Sequence, residues 1–353
     1  MPVADIAERY RGRSVLITGG LGFIGSNLAH RLAALDDVKV VILDALIPGQ
    51  GGNYFNLQGV EDRVTLHRAD MRDNKIVNQL VVGVDYVFNL AGQASHLDSL
   101  LHPVRDLELN CAAQLTLLEA CRNFNTHVKI VFTSTRQVYG RPVYLPVDEQ
   151  HSLLPVDING IHKLTAERYH LLYQRLYGTR VACLRLTNTY GPRQLLNHNR
   201  QGFIGWFIRQ VLLGEAIELY GEGQQLRDLN YVDDVVEALL LVGASDLVDG
   251  EVFNLGGGQP VTLAEVAAEL ISLIGGGETY IADFPPEQKL IEIGNCWLSH
   301  RKIQEALGWR PLTPLRIGLA RTLEFYRTHL AEYLEPNVAS AKQSRPKREG
   351  NDT

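Results

Sequence analysis

The sequence predicts an α/β fold, a doubly wound parallel sheet with a smaller C-terminal part. Three observations predict it. Apolar runs of strand length alternate with segments of helical spacing through the first half, as a parallel sheet requires. The run Ser14-Val15-Leu16-Ile17 leads into Thr18-Gly19-Gly20-Leu21-Gly22-Phe23-Ile24-Gly25, and Ser26 to Leu32 then has helical spacing. The next strand, Val38-Lys39-Val40-Val41-Ile42-Leu43, ends in Asp44, nineteen residues after Gly25.

Glycine at 19, 22 and 25 serves three needs at a strand-to-helix turn. It permits a tight turn, lets backbone N–H groups approach a pyrophosphate, and lets the helix pack close to the strand. The helix N-terminus then faces the anion. A carboxylate at Asp44 accepts from both ribose hydroxyls of an adenosine and repels a 2′-phosphate, which favours NAD over NADP. A lone glycine-rich turn is a weak signal. Strand, turn, helix, strand and acid in register make the fold Rossmann-like and the cofactor a dinucleotide.

The remaining elements follow in order. Val64-Thr65-Leu66-His67 is a short strand that runs into Asp70 and Met71. Tyr86-Val87-Phe88-Asn89-Leu90 opens into Ala91-Gly92-Gln93-Ala94-Ser95-His96. Leu107 to Cys121 is helical. Val128 to Phe132 is a strand ending in Thr133-Ser134-Thr135-Arg136-Gln137-Val138-Tyr139-Gly140. A helix from about Gly160 to Tyr177 and a strand from Val181 to Leu186 complete the regular pattern. Ligands of open parallel sheets bind beyond the carboxyl ends of the strands, so the segments after Leu90, Phe132 and Leu186 face one cleft. Beyond Tyr190 the pattern loosens into loops, helices and short strands that supply the cleft's second wall. The reading is therefore an NAD-binding part over 1–190, with 229–256 returning to it. A substrate-binding part covers 191–228 and 257–335, and 336–353 is a disordered, locally basic tail.

Composition bounds the function. Hydrophobic content of 45% and charged content of 21% are those of an ordinary globular chain. A net charge of −6 gives no support for nucleic-acid binding. No apolar run approaches a membrane span, and the first residues lack a signal-peptide signature, so a cytoplasmic location is expected. The four cysteines show neither CxxC nor metal spacing, and no metal is expected. Cys111, Cys121 and Cys183 sit in apolar periodic segments and read as buried free thiols.

Together these residues resemble the extended short-chain dehydrogenase/reductase superfamily, in particular its nucleotide-sugar epimerases and dehydratases. The resemblance runs from about Ser14 to His329. It rests on the Thr18–Gly25 turn, Asp70, Leu90-Ala91-Gly92, Ser134-Thr135 with Val138-Tyr139-Gly140, and Asn188-Thr189-Tyr190-Gly191-Pro192-Arg193. Arg227-Asp228-Leu229-Asn230-Tyr231-Val232-Asp233-Asp234, Phe253-Asn254-Leu255-Gly256-Gly257 and Leu307-Gly308-Trp309-Arg310-Pro311 add to it. The resemblance implies that Gly19, Gly22, Phe23, Ile24, Gly25 and Asp44 hold the pyrophosphate and ribose of NAD. Asp70 and Met71 then flank adenine, Leu90, Ala91 and Gly92 line the nicotinamide side, and Lys163 holds the nicotinamide ribose. Asn188 and Arg227 fall on the substrate side, with Arg227 on the nucleotide diphosphate. An Arg offers a rigid fork of donors for such oxygens. The alternative for Arg227 is a salt bridge to Asp228 or Asp233. The resemblance also implies a homodimer joined through the Leu107–Cys121 and Gly160–Tyr177 helices.

The sequence departs from that family at its reaction centre. The family places a Tyr four residues before the Lys, where it takes the alcohol proton. Here Asn159 stands at that position, and a carboxamide has no proton to exchange near neutral pH. Thr135 is intact and would orient the sugar oxygen. Arg136 and Gln137 replace the Asp and Glu of the typical 4,6-dehydratases and cannot act as that acid and base. Asn159 would then hydrogen-bond the sugar or hold a water. His162 points away from Lys163 on a helix and reads as solvated or packing. His96 lies in the loop that passes the sugar, and because an imidazole as a residue type suits general acid/base work it is the favoured acid/base, ahead of His198. Gln93 and Phe203 lie in segments similar to those of nucleotide-sugar 2-epimerases. The reading is an NAD-dependent nucleotide-diphosphate-sugar epimerase that acts by transient oxidation of the sugar. The alternatives are another nucleotide-sugar enzyme, a dehydratase or ketoreductase, and a non-catalytic protein that binds NAD or a nucleotide sugar.

Overall fold

The computed structural model describes residues 3–334; the expected disordered tail lies outside the described residues. Six strands come first: β1 Ser14–Thr18, β2 Lys39–Asp44, β3 Val64–Arg68, β4 Tyr86–Asn89, β5 Lys129–Thr135 and β6 Arg180–Leu186. With Val252–Leu255 they form one seven-stranded sheet in the order Val252–Leu255, β6, β5, β4, β1, β2, β3. Every pairing in it is parallel. The chain leaves β1 toward β2 and β3, then returns to the other side of β1 at β4. Beyond that reversal lies the crevice in which this class of sheet binds ligands.

Alternation along the strands builds two cores. Val15, Ile17, Ile42, Phe88 and Val131 face one way and meet Ile6 and Tyr10 of the first helix, Leu28 and Leu32 of Phe23–Ala33, and Val235 and Leu239 of Val232–Ala244. Leu16, Val41, Val87, Ile130 and Phe132 face the other way. They meet Val77 of Asn74–Leu80, Leu117 and Cys121 of Ala113–Phe124, and Ala166 and Tyr173 of Ile158–Tyr177. The four cysteines are buried and free. Burial pushes the Cys111 thiol up to about 11 and the Cys121 thiol to about 12.

A third core belongs to the C-terminal part. The helices Phe203–Leu213, Leu263–Ile274 and Leu315–His329 enclose Ile204, Phe207, Ile208, Leu270, Leu319 and Leu323. Short strand pairs connect this part: Ile217–Tyr220 runs parallel to Thr279–Ala282, and Leu226–Arg227 antiparallel to Val261–Thr262. No helix among the described residues is long and apolar enough to cross a membrane.

Two elements differ from the sequence reading. β5 continues through Ser134 to Thr135, because polar residues at its end still pair with Arg185 and Leu186 of β6. The helix expected from Leu107 begins at Pro103 and carries a π-turn over Glu108–Ala112 before Ala113–Phe124. Such turns bulge side chains toward functional sites. Here the turn places Asn110, whose carboxamide accepts from Gln93 N at 3.2 Å and donates to Gln93 O at 3.1 Å.

Candidate active site

A cleft of about 360 Å³ lies past the carboxyl ends of the central strands. Gly19, Gly22, Phe23, Ile24, Gly25, Asp44, Asp70, Met71, Leu90, Ala91, Gly92 and Lys163 all line it. Gly19 has φ of +72°, the left-handed region that glycine favours. A Cβ on Gly25 would lie 2.2 Å from Gly19 O, so the helix can approach the turn only with glycine there. Gly22 caps the Phe23–Ala33 helix without a side-chain bond, which leaves the first-turn N–H groups open to the cleft. The Asp44 carboxylate accepts from Leu21 N at 2.9 Å and from Leu46 N at 2.8 Å. Burial raises its pKa despite those two bonds. Arg72 bonds both oxygens of Asp70 and holds that carboxyl below its usual range.

Behind the cleft, Thr18 Oγ1 donates to Asn89 Oδ1 at 2.9 Å and accepts from Leu90 N and Ala91 N, each at 3.1 Å. One hydroxyl thus fixes the turn at the end of β4. His170 stacks on Phe132 at 4.2 Å between ring centroids. Burial pulls its pKa down to about 4, so it stays neutral.

At the inner end of the cleft four side chains form a chain. Asp157, the N-cap of Ile158–Tyr177, accepts from Gly160 N at 2.7 Å through Oδ1. Its Oδ2 lies 2.8 Å from His96 Nδ1. His96 Nε2 meets the Gln137 amide, and Gln137 Oε1 accepts from Thr135 Oγ1 at 2.6 Å. Asp157 accepts at Nδ1, so the ring proton sits there and Nε2 presents a lone pair. Burial pushes the Asp157 carboxyl up. The His96 bond and charge, the Gly160 N–H and the Arg136 charge outweigh it and hold the carboxyl below its ordinary value.

Asn159 is buried at 1% exposure, and its amide nitrogen is satisfied by the protein. It donates to Gln93 O at 2.9 Å, Gln93 Oε1 at 3.1 Å and Asp106 Oδ2 at 3.2 Å. Asn159 lines the cleft, and its amide nitrogen braces the Gln93 loop against the helix. His162 is neither solvated nor merely packed, since its Nδ1 lies 2.6 Å from Asp106 Oδ1. Lys163 Nζ donates to Thr133 O at 3.3 Å and sits over the Phe132 ring. Removal from water pulls its pKa down to about 8, against the charges of Asp106 and Cys111.

A second chamber of about 340 Å³ adjoins the first, and Ala94, Gln137 and Gln201 line both. Its walls include His96, Arg136, Asp157, Asn188, Phe203 and Arg227. Asn188 Nδ2 donates to Asp228 O at 3.2 Å. Arg227 pairs with Glu292 at 2.8 Å, not with Asp228 or Asp233. Both Asp228 oxygens are occupied, by Thr187 Oγ1 on one side and by Gly257 N and Leu298 N on the other. His198 bonds Gly49 O at 3.0 Å and lines neither chamber.

The NAD dependent epimerase/dehydratase family model matches residues 15–256. The chain belongs to that family. Within the family it is 33% identical over 317 residues to a putative UDP-glucose 4-epimerase of Methanocaldococcus jannaschii, covering 89% of this chain and 99% of that protein. It is 30% identical over 359 residues to UDP-glucuronic acid decarboxylase 1 of Xenopus tropicalis, covering 98% of this chain and 80% of that one. Among solved structures, the dTDP-glucose 4,6-dehydratase DesIV of Streptomyces venezuelae, with NAD bound, aligns at a TM-score of 0.83 and 29% identity, over 92% of this chain and 99% of that one. This family member is thus an extended short-chain dehydrogenase/reductase enzyme of the epimerase/dehydratase type.

The cleft fits the family's cofactor. Ser134 Oγ, Gln50 Oε1 and Gln194 Oε1 line it, are buried, and have no hydrogen-bond partner in the protein. Sequence reasoning missed Asp157 and Asp106, and it set Gln137 aside because an amide does not titrate. The N-cap pattern, an acid immediately before a helix, marks Asp157 in the sequence.

Proposed function

We propose that this enzyme is an NAD-dependent nucleotide-diphosphate-sugar epimerase in which His96, aligned by Asp157, takes the role of the absent tyrosine. The observation that carries the reading is the Asp157–His96–Gln137–Thr135 chain at the meeting point of the two chambers. Gly19, Gly22, Phe23, Ile24 and Gly25 would hold the pyrophosphate of NAD, Asp44 its adenosine ribose, and Asp70 and Met71 its adenine. Leu90, Ala91, Gly92 and Lys163 would hold its nicotinamide half. Bound there, NAD supplies a reversible hydride acceptor. The nucleotide sugar would occupy the second chamber, with Asn188, Phe203 and Arg227 on its walls, and Gln93 would meet it from the wall of the first cleft. A sugar hydroxyl that displaces the Gln137 carboxamide sits between Thr135 Oγ1 and His96 Nε2. Thr135 orients it, and Nε2 takes its proton while Asp157 stabilises the imidazolium. Asn159 keeps the Gln93 loop and the helix in register. The names of the family relatives, which act on nucleotide sugars, support this substrate class. Exposed Val104, Leu107, Leu176 and Tyr177 on the central helices support a homodimer.

The test is turnover of UDP-, GDP-, CDP- and dTDP-sugars in deuterated water, read by NMR and by whether NAD stays with the protein. An epimerase yields a new stereoisomer with the cofactor retained and in its starting state. Net cofactor reduction or release would instead mark a one-way oxidoreductase.

A further inference from the structure

The second chamber has three arginines in its wall, and two of them are paired. Arg200 Nη1 lies 2.9 Å from Asp98 Oδ1. Arg227 lies against Glu292 and donates to Leu226 O at 2.9 Å. Arg136 is different. Among the described residues no ion pair reaches it, and its Nη1 is buried with no hydrogen-bond partner. A buried guanidinium N–H left unmatched is costly unless an acceptor arrives.

The carboxylates near Arg136 are already engaged. Asp157 gives one oxygen to Gly160 N and the other to His96. Asp228 gives its oxygens to Thr187, Gly257 and Leu298. Glu218, on the same chamber wall, accepts from Tyr220 Oη at 2.9 Å. Arg227 is matched by Glu292, so among the three arginines of the wall only Arg136 is without an ion pair among the described residues. Burial first, and the Arg136 charge second, lower the Arg227 pKa. The Nη1 edge of Arg136 therefore finds no acceptor among the described residues, while the guanidinium also meets the Cys296 side chain.

Position says which anion. Arg136 directly follows Thr135, which binds Gln137 at the point where the sugar hydroxyl is expected. Its guanidinium acts on Asp157, the partner of His96, and also on Arg227. It is thus close enough to act both on the His96–Asp157 pair and on Arg227, the arginine proposed above for the substrate side. A group at that place belongs to the sugar ring.

Resting on the nucleotide-sugar reading above, we propose that the substrate is a nucleoside diphosphate uronate, whose ring carboxylate is taken by the free edge of the Arg136 guanidinium. The planar fork suits a carboxylate, which a neutral hydroxymethyl group cannot match.

The experiment is calorimetric binding to the purified protein. UDP, dTDP, GDP and CDP are titrated first, to find the nucleotide. The hexose and the hexuronate of that nucleotide follow, on the natural protein, Arg136→Met and Arg136→Lys. The uronate is expected to bind the natural protein about 10-fold or more tightly than the hexose, as charge-assisted bonds allow. In R136M that preference disappears while the bare nucleotide binds as before, and R136K restores part of it. Equal binding of hexose and uronate to the natural protein overturns the proposal. So does a loss in R136M shared equally by nucleotide, hexose and uronate, which would make Arg136 a phosphate ligand. Failure of all four nucleotides to bind overturns the underlying nucleotide-sugar reading, and the uronate with it.

Discussion

His96 Nδ1 lies 2.8 Å from Asp157 Oδ2, and the two residues are sixty-one positions apart in the chain. The contact joins the helix that starts after β4 to the N-terminus of Ile158–Tyr177. Asp157→Asn removes the acceptor at Nδ1 and frees the ring to adopt the other tautomer, in which Nε2 carries the proton. Turnover of the nucleotide sugar should fall by about 10²- to 10⁴-fold in either Asp157→Asn or His96→Ala. Retained NAD, measured by absorbance after denaturation, should not change. Turnover within a few-fold of the natural protein in His96→Ala would place the proton transfer elsewhere.

Lys163 carries a pH signature. Its pKa falls from 10.5 in the unfolded chain to about 8 in the fold, because burial disfavours the ammonium. The unfolded state therefore binds the extra proton between those values, and stability rises with pH across that window. Below about pH 8 the lysine contributes its full penalty, which is relieved by pH 10.5. Urea midpoints of the natural protein and Lys163→Met, compared from pH 7 to 10.5, should move in favour of the natural protein as pH rises. A constant difference would mean that the ammonium is well solvated in the fold.

Gly25→Ala tests the turn. The new Cβ would meet Gly19 O at 2.2 Å and Gly20 Cα at 2.8 Å, so the helix must retreat from the strand. NAD affinity should drop by roughly 10- to 100-fold, in line with the cost of overpacking. Gly276→Ala is the control, because nothing lies within 4 Å of its added Cβ. Equal NAD affinity in both variants would show that the turn is not where the cofactor binds.

The part of this architecture that is local was legible in the sequence. The Gly19–Gly25 turn, Asp44 and the apolar runs of the strands each depend on neighbours a few residues away. The lining of the first cleft follows from them, whereas the order of the strands comes from long-range pairing that the sequence reading did not address. The inner end was legible only in pieces. Thr135 stood out by the family resemblance and His96 by residue type, whereas Asp157 and Gln137 matter because folding brings them to His96. The absent tyrosine at Asn159 suggested a substitute with the same reach toward the sugar. The structure instead turns that carboxamide to Gln93 and Asp106, contacts sixty-six and fifty-three residues distant. The π-turn was invisible because the apolar spacing continues through it.

The last relationship concerns the scaffold under the site. Arg185 of β6 donates to both oxygens of Glu167, at 3.0 and 2.6 Å, and to Tyr139 Oη at 2.6 Å. Tyr139 Oη in turn donates to Asn254 Oδ1 at 2.7 Å. Four segments are tied by this one guanidinium: the Ile158–Tyr177 helix, β6, the turn after Thr135, and the last strand of the sheet. The Glu167 side chain is fully buried and that of Arg185 nearly so. Glu167→Gln keeps the shape but leaves the buried charge without its counter-ion. The expected cost is about 3–5 kcal/mol in urea unfolding. Replacing the pair together, as Glu167→Gln with Arg185→Met, should cost less than Glu167→Gln alone, because the uncompensated charge is gone. A Glu167→Gln loss below about 1 kcal/mol, the range of surface pairs, would show that water reaches the guanidinium.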